Sequence, residues 1–345
     1  MKKAILFNDT SNEMHHGCNL VIYAIKKLLI KNNIQLIYSI FSGTDWRKDK
    51  LLLKKIKKEK IDLLVVNGEG TIHHDQYYAK ILIQVSELAQ KYNIKSVLIN
   101  CTYDSNDPSQ KKLLKNFNII SVREKKSKED LEGIGVNAIV VPDLSFYYFQ
   151  NIQLIHKHKR SLFVSDSVLS DYSQSLFMFA AKNNYKFVPI LSFYRLKIFN
   201  PKSWMGFFKF LLVTLYLKLT INKSETIFFK NLYRFQGKYF TRTYVNLINS
   251  NKFLITGRYH DVCIAIMCRT PFVSIKSNTF KIQELLNDIG INKNRVANDI
   301  SSINNIMRDR KISYFDDFEI ANIYKFLFSS KKTIEDLFLK IRNEI

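Results

Sequence analysis

The chain has 345 residues, a length that exceeds one ordinary hydrophobic core and favours two domains. With 46% hydrophobic and 24% charged residues, and only 10 glycines and 5 prolines, it is globular rather than disordered, collagen-like or of low complexity. The formal net charge of +23 predicts a surface that attracts nucleic acid, anionic lipid headgroups, or phosphorylated or carboxylated substrates.

Sequence motifs narrow these partner classes. The chain carries no recognition-helix motif, zinc-finger spacing or RNP-type aromatic pattern, which makes nucleic acid a poor candidate. Its four cysteines show no CxxC spacing, and no signal-peptide pattern follows Met1. We therefore expect reduced thiols and a cytoplasmic location.

Strand and helix patterns alternate through residues 1–150, which we expect to form an N-terminal Rossmann-like domain. Apart from Asp62, residues 61–66 are all apolar, which is typical of a strand buried on both faces. Ser127 is expected to cap the helix that follows it. Alternation of this kind predicts a parallel sheet with helices on both faces. The predicted strands are 4–7, 34–41, 61–66, 96–100, 119–122 and 138–141, and the helices are 20–30, 46–58, 77–92, 108–116 and one from 127.

A polar, basic stretch at 151–160 suits a boundary, and the alternation then resumes in a C-terminal Rossmann-like domain over 151–345. The predicted class is therefore α/β, with two parallel sheets facing a central cleft and a helical C-terminal tail. The last helices are candidates to return to the first domain. The predicted strands are 162–164, 187–191, 253–256 and 272–275, and the helices are 170–183, 203–220, 239–250, 261–268, 279–288, 301–309 and 315–342.

Residues 204–219 are unusually apolar. Lys209 and Lys218 interrupt the run and argue against a transmembrane helix, which needs about 20 apolar residues. Two interpretations stay open, a helix that lies in the membrane interface with flanking lysines, or a core helix of the second domain.

Ligands of doubly wound sheets bind beyond the carboxyl ends of the strands, so the loops there hold the candidate site residues. After the first strand, Asp9 is a candidate base or a turn cap. His15 and His16 precede a helix whose N-terminal amides suit an anion, and they are candidate ligand contacts or solvated loop residues.

The loop after strand 61–66 combines glycines that let a ligand approach closely with acidic and imidazole groups. No HExxH or other metal-ligand spacing occurs, and neighbouring histidines are expected to point apart on a helix, so we predict no tightly bound metal. A transient divalent cation held by Glu69 or Asp75 stays open. The candidate residues of this loop are Gly68, Glu69, Gly70, His73 and His74.

Arg123 follows strand 119–122. Its guanidinium could form a bidentate pair of hydrogen bonds with a carboxylate or phosphate of a ligand. An ion pair within the protein, with Glu124 or Asp143, fits the sequence equally well.

Gly257, Arg258 and His260 follow strand 253–256 and begin a helix. Arginine supplies a fixed charge and bidentate donors, histidine titrates near neutrality, and the helix amides add a third contact for an anion. Lys281 extends the same positive region. This is the most site-like group of residues in the chain.

The run 257–275, with Lys281 and Gly290 beyond it, resembles the C-terminal signature of the polysaccharide pyruvyltransferase family: Arg-x-His at a helix start, a helix of small residues, a Pro-led strand and a lysine before a leucine-rich helix. The segments 122–143 and 67–73 are similar to the middle segment and the glycine-rich turn of the family. Two positions depart from the pattern. Asp261 stands where the family usually has a small residue, and Glu69 where a third glycine is common, which leaves open a subgroup with a different donor.

The resemblance implies a GT-B-like fold and transfer of a pyruvyl group from phosphoenolpyruvate to a sugar diol, giving a ketal on a capsular polysaccharide, a lipopolysaccharide or a precursor. It implies no cofactor apart from this donor substrate. Donor binding would fall to Arg258, Gly257, Lys281 and Arg123. His260 would act near the donor, and Glu69, His73 or Asp9, from an acceptor-side first domain, would be the base. Possible substrate contacts are His15, His16, Gly68, Gly70 and His74.

Two other functions remain compatible with the sequence. The first is a glycosyltransferase of the same fold that uses a nucleotide-activated sugar. The second is a non-catalytic basic binder of membranes or nucleic acid. For the transferase, a glycan or lipid-linked glycan is the expected acceptor, and the enzyme would lie in the cytoplasm or on the inner face of the cytoplasmic membrane.

Overall fold

The computed structural model describes residues 1–13, 15–104, 106–155, 161–190, 241–277 and 279–345. They form an α/β protein with two parallel sheets and a long C-terminal helix, as predicted. The expected helix 203–220, with the apolar stretch 204–219, lies outside the described residues. Within the described ranges, none of the helices has the length and apolar character needed to cross a membrane.

The chain divides into two compact units. The first comprises Met1–Glu13, Cys18–Gln150 and Lys325–Ile345, and the second comprises Met14–Gly17 and Asn151–Tyr324. The C-terminal segment thus belongs to the first unit, and a short piece of the loop after the first strand belongs to the second.

The first unit is built on a six-stranded sheet in which all neighbouring strands are parallel. Its order is β2-β1-β3-β4-β5-β6. The central strand β3 is buried at every residue, which explains the four consecutive apolar residues with which it begins. The strands are β1 (Lys2–Asp9), β2 (Ile34–Phe41), β3 (Leu63–Glu69), β4 (Lys95–Cys101), β5 (Ile119–Val122) and β6 (Ile139–Val140).

The helices of the first unit follow the predicted positions with altered ends. The predicted basic helix begins at Lys50 because the Asp49 carboxylate accepts hydrogen bonds from the amides of Leu51 and Leu52. The expected cap at Ser127 is wrong, since its helix begins two residues earlier, at Lys125. The helix predicted at 77–92 is two helices. The helices are α1 (His16–Lys31), α2 (Lys50–Lys58), α3 (Tyr77–Ile83), α4 (Val85–Lys91), α5 (Lys111–Leu114) and α6 (Lys125–Gly133).

The second unit contains a five-stranded parallel sheet in the order β11-β10-β9-β7-β8. The strand predicted at 187–191 has only two residues, and a short fifth strand that the sequence did not predict completes the sheet. The strands are β7 (Leu162–Ser167), β8 (Lys186–Phe187), β9 (Phe253–Gly257), β10 (Phe272–Ile275) and β11 (Val296–Ala297).

The remaining helices follow β7 in the chain. The last of them, 28 residues long, begins in the second unit, and its residues from Lys325 onward belong to the first. In the described residues after β7, the helices are α7 (Ser170–Lys182), α8 (Thr241–Ser250), α9 (Tyr259–Met267), α10 (Lys281–Ile289), α11 (Ile300–Arg308), α12 (Arg310–Ser313) and α13 (Asp317–Glu344).

Candidate active site

Three neighbouring strands of the first sheet end in left-handed backbone. Asn8 in β1, Glu69 at the end of β3 and Asn100 in β4 have φ angles of 60°, 43° and 57°. Asparagine tolerates this region because its short amide can hydrogen-bond locally, whereas glutamate adopts it with greater strain. The chain therefore leaves the sheet abruptly at the carboxyl edge, where parallel sheets bind ligands.

Glu69 lies in a buried network at this edge. The residue is 6% exposed, and its carboxylate accepts hydrogen bonds from Thr10 Oγ1 at 2.7 Å, Asn67 Nδ2 at 2.9 Å and Cys18 Sγ at 3.1 Å. Burial, together with the charges of Glu69 and Glu13, raises the pKa of the Cys18 thiol, which therefore stays protonated and donates. Three donors thus hold this predicted base in one position.

Asp9, a second predicted base, ends β1 and caps the turn that follows. One carboxylate oxygen accepts from the amide of Ser11 at 3.0 Å, and the other lies 3.0 Å from Lys26 Nζ. Burial alone would raise the pKa of Asp9, but the hydrogen bonds from Ser11 and the ion pair with Lys26 hold it below the usual 3.8. An ionised, paired carboxylate of this kind suits positioning more than proton uptake.

His73 and His74 lie in a turn that precedes α3, rather than on a helix. His74 and Asp75 have φ angles of 51° and 50°, and α3 begins only at Tyr77. The two histidine Nδ1 atoms are 2.9 Å apart, so one ring donates to the other. The expectation that these side chains point apart is therefore wrong, because it assumed helical backbone.

Arg123 forms the intramolecular ion pair that the sequence left open. Its Nη1 lies 2.8 Å from Asp143 Oδ2, and its Nε donates to Thr102 Oγ1 at 3.1 Å. Both charged side chains are at most 1% exposed. The buried pair orders the ends of β4 and β5, and a role for Arg123 in anion binding stays a prediction.

The Gly257–His260 segment lies at the junction of β9 and α9. Gly257 ends β9, where a Cβ atom would lie 2.5 Å from the Cβ of Ser167 in β7, so only glycine fits. Arg258 is the N-cap of α9. Its Nε donates to Asp166 Oδ2 at 2.8 Å, and its Nη2 contacts the same oxygen.

Basic side chains of the second unit surround His15. The ring centroids of His15 and His260 are 5.3 Å apart. Burial, and then the positive charges of His260, Arg258, His16 and Lys281, hold the pKa of His15 well below its usual 6.5. An anion bound among these groups would favour the protonated form of His15.

His16 is a packed residue. Its ring stacks on that of Tyr244, with centroids 4.5 Å apart and an interplanar angle of 19°, and its Nδ1 lies 3.4 Å from Thr241 Oγ1. Burial lowers the pKa of His16 to about 4. His16 is therefore neutral at physiological pH and helps to hold the loop against α8.

Asp261 is fully buried behind Arg258. Its carboxylate accepts from Tyr244 Oη at 2.8 Å and from Thr256 Oγ1 at 2.8 Å. Burial first, and then the charge of Asp166, raises the pKa of Asp261 to about 6. The carboxyl of Asp261 therefore becomes largely neutral only when the pH falls below about 6.

Comparison with known proteins identifies the family. The model of polysaccharide pyruvyl transferases matches residues 15–279, well over half of the 345-residue chain. The chain belongs to the polysaccharide pyruvyl transferase family. It is therefore an enzyme, a transferase, and the resemblance seen in its sequence is confirmed. No curated protein gave a significant sequence match.

Solved structures of UDP-N-acetylglucosamine 2-epimerases are similar in fold to this family member. The Neisseria meningitidis enzyme bound to UDP-GlcNAc is 12% identical, with a TM-score of 0.56 and coverage of 98% of this chain and 99% of that chain. The Methanocaldococcus jannaschii enzyme in complex with UDP-GlcNAc and UDP is 14% identical, with a TM-score of 0.54 and coverage of 95% and 100%. These similarities support the GT-B-like fold.

Sequence reasoning missed two residues that contact the candidate residues of the second unit, Asp166 and Tyr244. A signal for Asp166 existed, because the polar run 165–167 directly follows a predicted strand, at the edge where ligands bind. Tyr244 gave no signal, since a tyrosine within an amphipathic helix is indistinguishable from an ordinary core residue.

Proposed function

We propose that the protein transfers a pyruvyl group from phosphoenolpyruvate to a sugar diol, forming a cyclic ketal and releasing inorganic phosphate. The observation that carries this proposal is the basic group of the second unit, Arg258, His260, His15 and Lys281, at the start of α9. The donor bears both a phosphate and a carboxylate, and fixed cationic donors stabilise such charges.

Arg258 and the first amides of α9 bind the anionic groups of the donor in this proposal. Arg258 is fixed by its ion pair with Asp166, and the positive end of the helix adds to its charge. The ammonium group of Lys281 lies 5.8 Å from the centre of the Tyr259 ring, in the first turn of the same helix. This supports the assignment of Lys281 to the donor site.

Ketal formation requires both proton donation and proton removal. One sugar oxygen adds to C2 of the donor while C3 gains a proton, and the second oxygen displaces phosphate, which carries away the other hydroxyl proton. We assign His260 to proton transfer near the donor, because its imidazole can donate or accept a proton and it lies in the first turn of α9, beside Arg258. The assignment of the acceptor base to Glu69, His73 or Asp9 stays a prediction.

Alanine substitution of Arg258 and of His260 tests the site. Each variant should lower turnover by at least about tenfold, because one well-placed acid or base contributes roughly 10²–10⁴ to the rate. Arg308, an exposed arginine of α11, gives the matched control, and its alanine variant should keep wild-type turnover. Full activity in folded Arg258→Ala and His260→Ala proteins would overturn the assignment.

The donor is tested by thermal stability and by product mass. Phosphoenolpyruvate at about 100 times its dissociation constant should stabilise the protein by about 2.7 kcal/mol, seen as a higher melting temperature. Mass spectrometry of glycan acceptors should then reveal a pyruvyl adduct. A donor that neither raises the melting temperature nor yields an adduct would exclude phosphoenolpyruvate.

A second candidate is glycosyl transfer from a nucleotide-activated sugar. It is favoured by the similarity of the fold to epimerases solved with UDP or UDP-GlcNAc. The pyrophosphate of such a donor would lie at the same helix N-terminus. Stabilisation by UDP or UDP-sugars, with none by phosphoenolpyruvate, would select this function.

The proposed reaction uses no resident cofactor or metal. Turnover should therefore survive dialysis against EDTA. Loss of turnover that Mg²⁺ restores would instead assign a divalent cation to the site, for which Glu69 and Asp75 were the sequence candidates.

A lipid-linked glycan at the inner face of the cytoplasmic membrane is the proposed acceptor. Helix α2 supports such a location, since it exposes Lys54, Lys57 and Lys58 together with Leu51 and Leu53, which are 58% and 38% exposed. Each basic residue near an anionic surface contributes about 1 kcal/mol, and exposed leucines can insert among headgroups.

Flotation with anionic vesicles at low salt tests this location. The wild-type protein should float, and changing Lys54, Lys57 and Lys58 of α2 to glutamate should reduce flotation. The same charge change in the first unit's part of α13 provides the control. Equal losses in both triple variants would show a general charge effect, and a wild-type protein that stays at the bottom would contradict membrane binding. The control residues are Lys325, Lys332 and Lys340.

A further inference from the structure

We propose that Asp166 is the positioning residue of the anion site. It holds the guanidinium of Arg258 in one orientation, so that the Nη1 edge is presented to the anionic donor. This inference rests on the proposed function for its ligand. It adds a second residue, 92 positions away in sequence, on which donor binding depends.

The two oxygens of Asp166 have separate tasks. Oδ1 accepts from the amide of Ile190 at 2.9 Å and from Ser165 Oγ at 3.3 Å, which fixes the plane of the carboxylate. Oδ2 then faces Arg258, 2.8 Å from Nε and in contact with Nη2. Because Asp166 is only 4% exposed, water competes little for this pair.

The backbone of Arg258 is held independently of its side chain. Its amide donates to Thr256 Oγ1 at 3.0 Å, and Thr256 in turn donates to Asp261 Oδ2 at 2.8 Å. The backbone end and the Nε side of the guanidinium are thus both fixed. The remaining freedom of the side chain is small, which is the condition for a preorganised anion site.

Arg258 differs from the structural arginines of the chain. The guanidinium of Arg295 is fully buried and uses all three nitrogens on Glu319 and on backbone carbonyls. The Arg258 side chain is 17% exposed, and among the described residues its Nη1 has no hydrogen-bond partner. An arginine fixed on one edge and accessible on the other is arranged to bind a ligand.

An Asp166→Asn substitution keeps the size of the side chain but removes its charge and one of its two acceptor oxygens. It therefore tests whether the carboxylate positions Arg258. The amide oxygen can replace one carboxylate oxygen only. If it keeps the bond to the Ile190 amide, the NH₂ group faces the Arg258 guanidinium, and two donors are opposed. The substitution should therefore release Arg258 while the fold persists. Asp171, an exposed carboxylate in the first turn of α7, provides the matched Asp→Asn control.

The first measurement is the equilibrium binding of phosphoenolpyruvate in a double-mutant cycle. In the wild-type background, Asp166→Asn should raise the dissociation constant at least about tenfold, and Asp171→Asn should not change it. In an Arg258→Ala background, Asp166→Asn should leave binding unchanged or strengthen it, because an unpaired carboxylate repels the anion. An equal weakening in both backgrounds would overturn the positioning role.

The second measurement does not depend on the donor. The Nε–H resonance of Arg258, assigned by its loss in Arg258→Lys, should be resolved and slowly exchanging in the wild type. In Asp166→Asn, this resonance should shift to the region where the Nε–H signals of solvent-exposed arginines overlap. Its proton should also exchange rapidly with water. An unchanged resonance would refute the positioning role. Failure of phosphoenolpyruvate to bind the wild type would instead refute the proposed donor alone.

Discussion

Gly17 lies where any side chain would collide with His260. A Cβ atom built on Gly17 is 2.2 Å from both Cβ and Cγ of His260 and 2.6 Å from its Nδ1. Ordinary contacts of a Cβ atom begin at 3.4 Å, so in a Gly17→Ala variant the Cβ atom and the ring of His260 must together move away by about 1.2 Å. Overpacking of this kind typically destabilises by about 1–3 kcal/mol, and a misplacement of about 1 Å can lower a rate about 100-fold.

The assay combines pyruvyl-transfer turnover with thermal unfolding. Gly17→Ala should remain folded, with a lower melting temperature and a turnover reduced by about 10- to 100-fold. Gly133 is the matched control, because a Cβ atom there meets nothing within 4 Å. As the last residue of α6, it should accept alanine with unchanged turnover and equal or slightly higher stability.

A second background isolates the collision from other effects of the methyl group. When His260 is also replaced by glycine, its Cβ atom and its imidazole ring are both absent, so these overlaps disappear. The stability lost through Gly17→Ala should then largely vanish. A Gly17→Ala protein with wild-type turnover, or a destabilisation that persists in the His260→Gly background, would refute this reasoning.

Three further predictions concern protons. Burial holds the pKa of His16 at about 4, so the unfolded chain, with a pKa near 6.5, takes up the proton first. The depressed pKa of His16 alone should therefore lower the stability of the wild type by up to about 3 kcal/mol between pH 6.5 and 4, and His16→Phe, which keeps the stacking on Tyr244, should remove that part of the fall in urea titrations. The raised pKa of Asp261, about 6, has the opposite sign, because the unfolded carboxyl ionises first as pH rises from about 4. Asp261→Asn should thus gain stability relative to the wild type between pH 4 and 6, and a constant difference would contradict the burial of this charge. Donor binding should raise the depressed pKa of His15, so calorimetry near pH 6.5 in buffers of different ionisation enthalpy should detect proton uptake that His15→Gln reduces.

The fold class, and the place of the candidate Gly257–His260 residues at the junction of β9 and α9, could be predicted from the sequence. The apolar run that became β3 and the Gly-Arg-x-His motif after β9 are local signals, carried by a few consecutive residues. Parallel sheets bind ligands at their carboxyl edge, so the order of strands and loops indicated where to look. That logic succeeded because both features depend on periodicity and chain direction.

Contacts made across strands could not be predicted in this way. The pairing of Arg258 with Asp166 depends on β9 lying beside β7, and the sequence does not specify strand order. The choice between a ligand-binding and an ion-paired Arg123 likewise depended on where Asp143 falls in space. The adjacent rings of His73 and His74 required a left-handed turn at non-glycine residues, which propensity rules disfavour.

The left-handed residues that end β1, β3 and β4 have a consequence for enzyme engineering. Libraries that aim at new acceptors would ordinarily randomise positions 8, 69 and 100, since they lie at the ligand edge of the first sheet. Most β-branched or bulky replacements there would strain the main chain before meeting any sugar. Libraries at these three positions are best restricted to asparagine, aspartate and glycine. Wider sequence variation is better introduced in the loops that follow them.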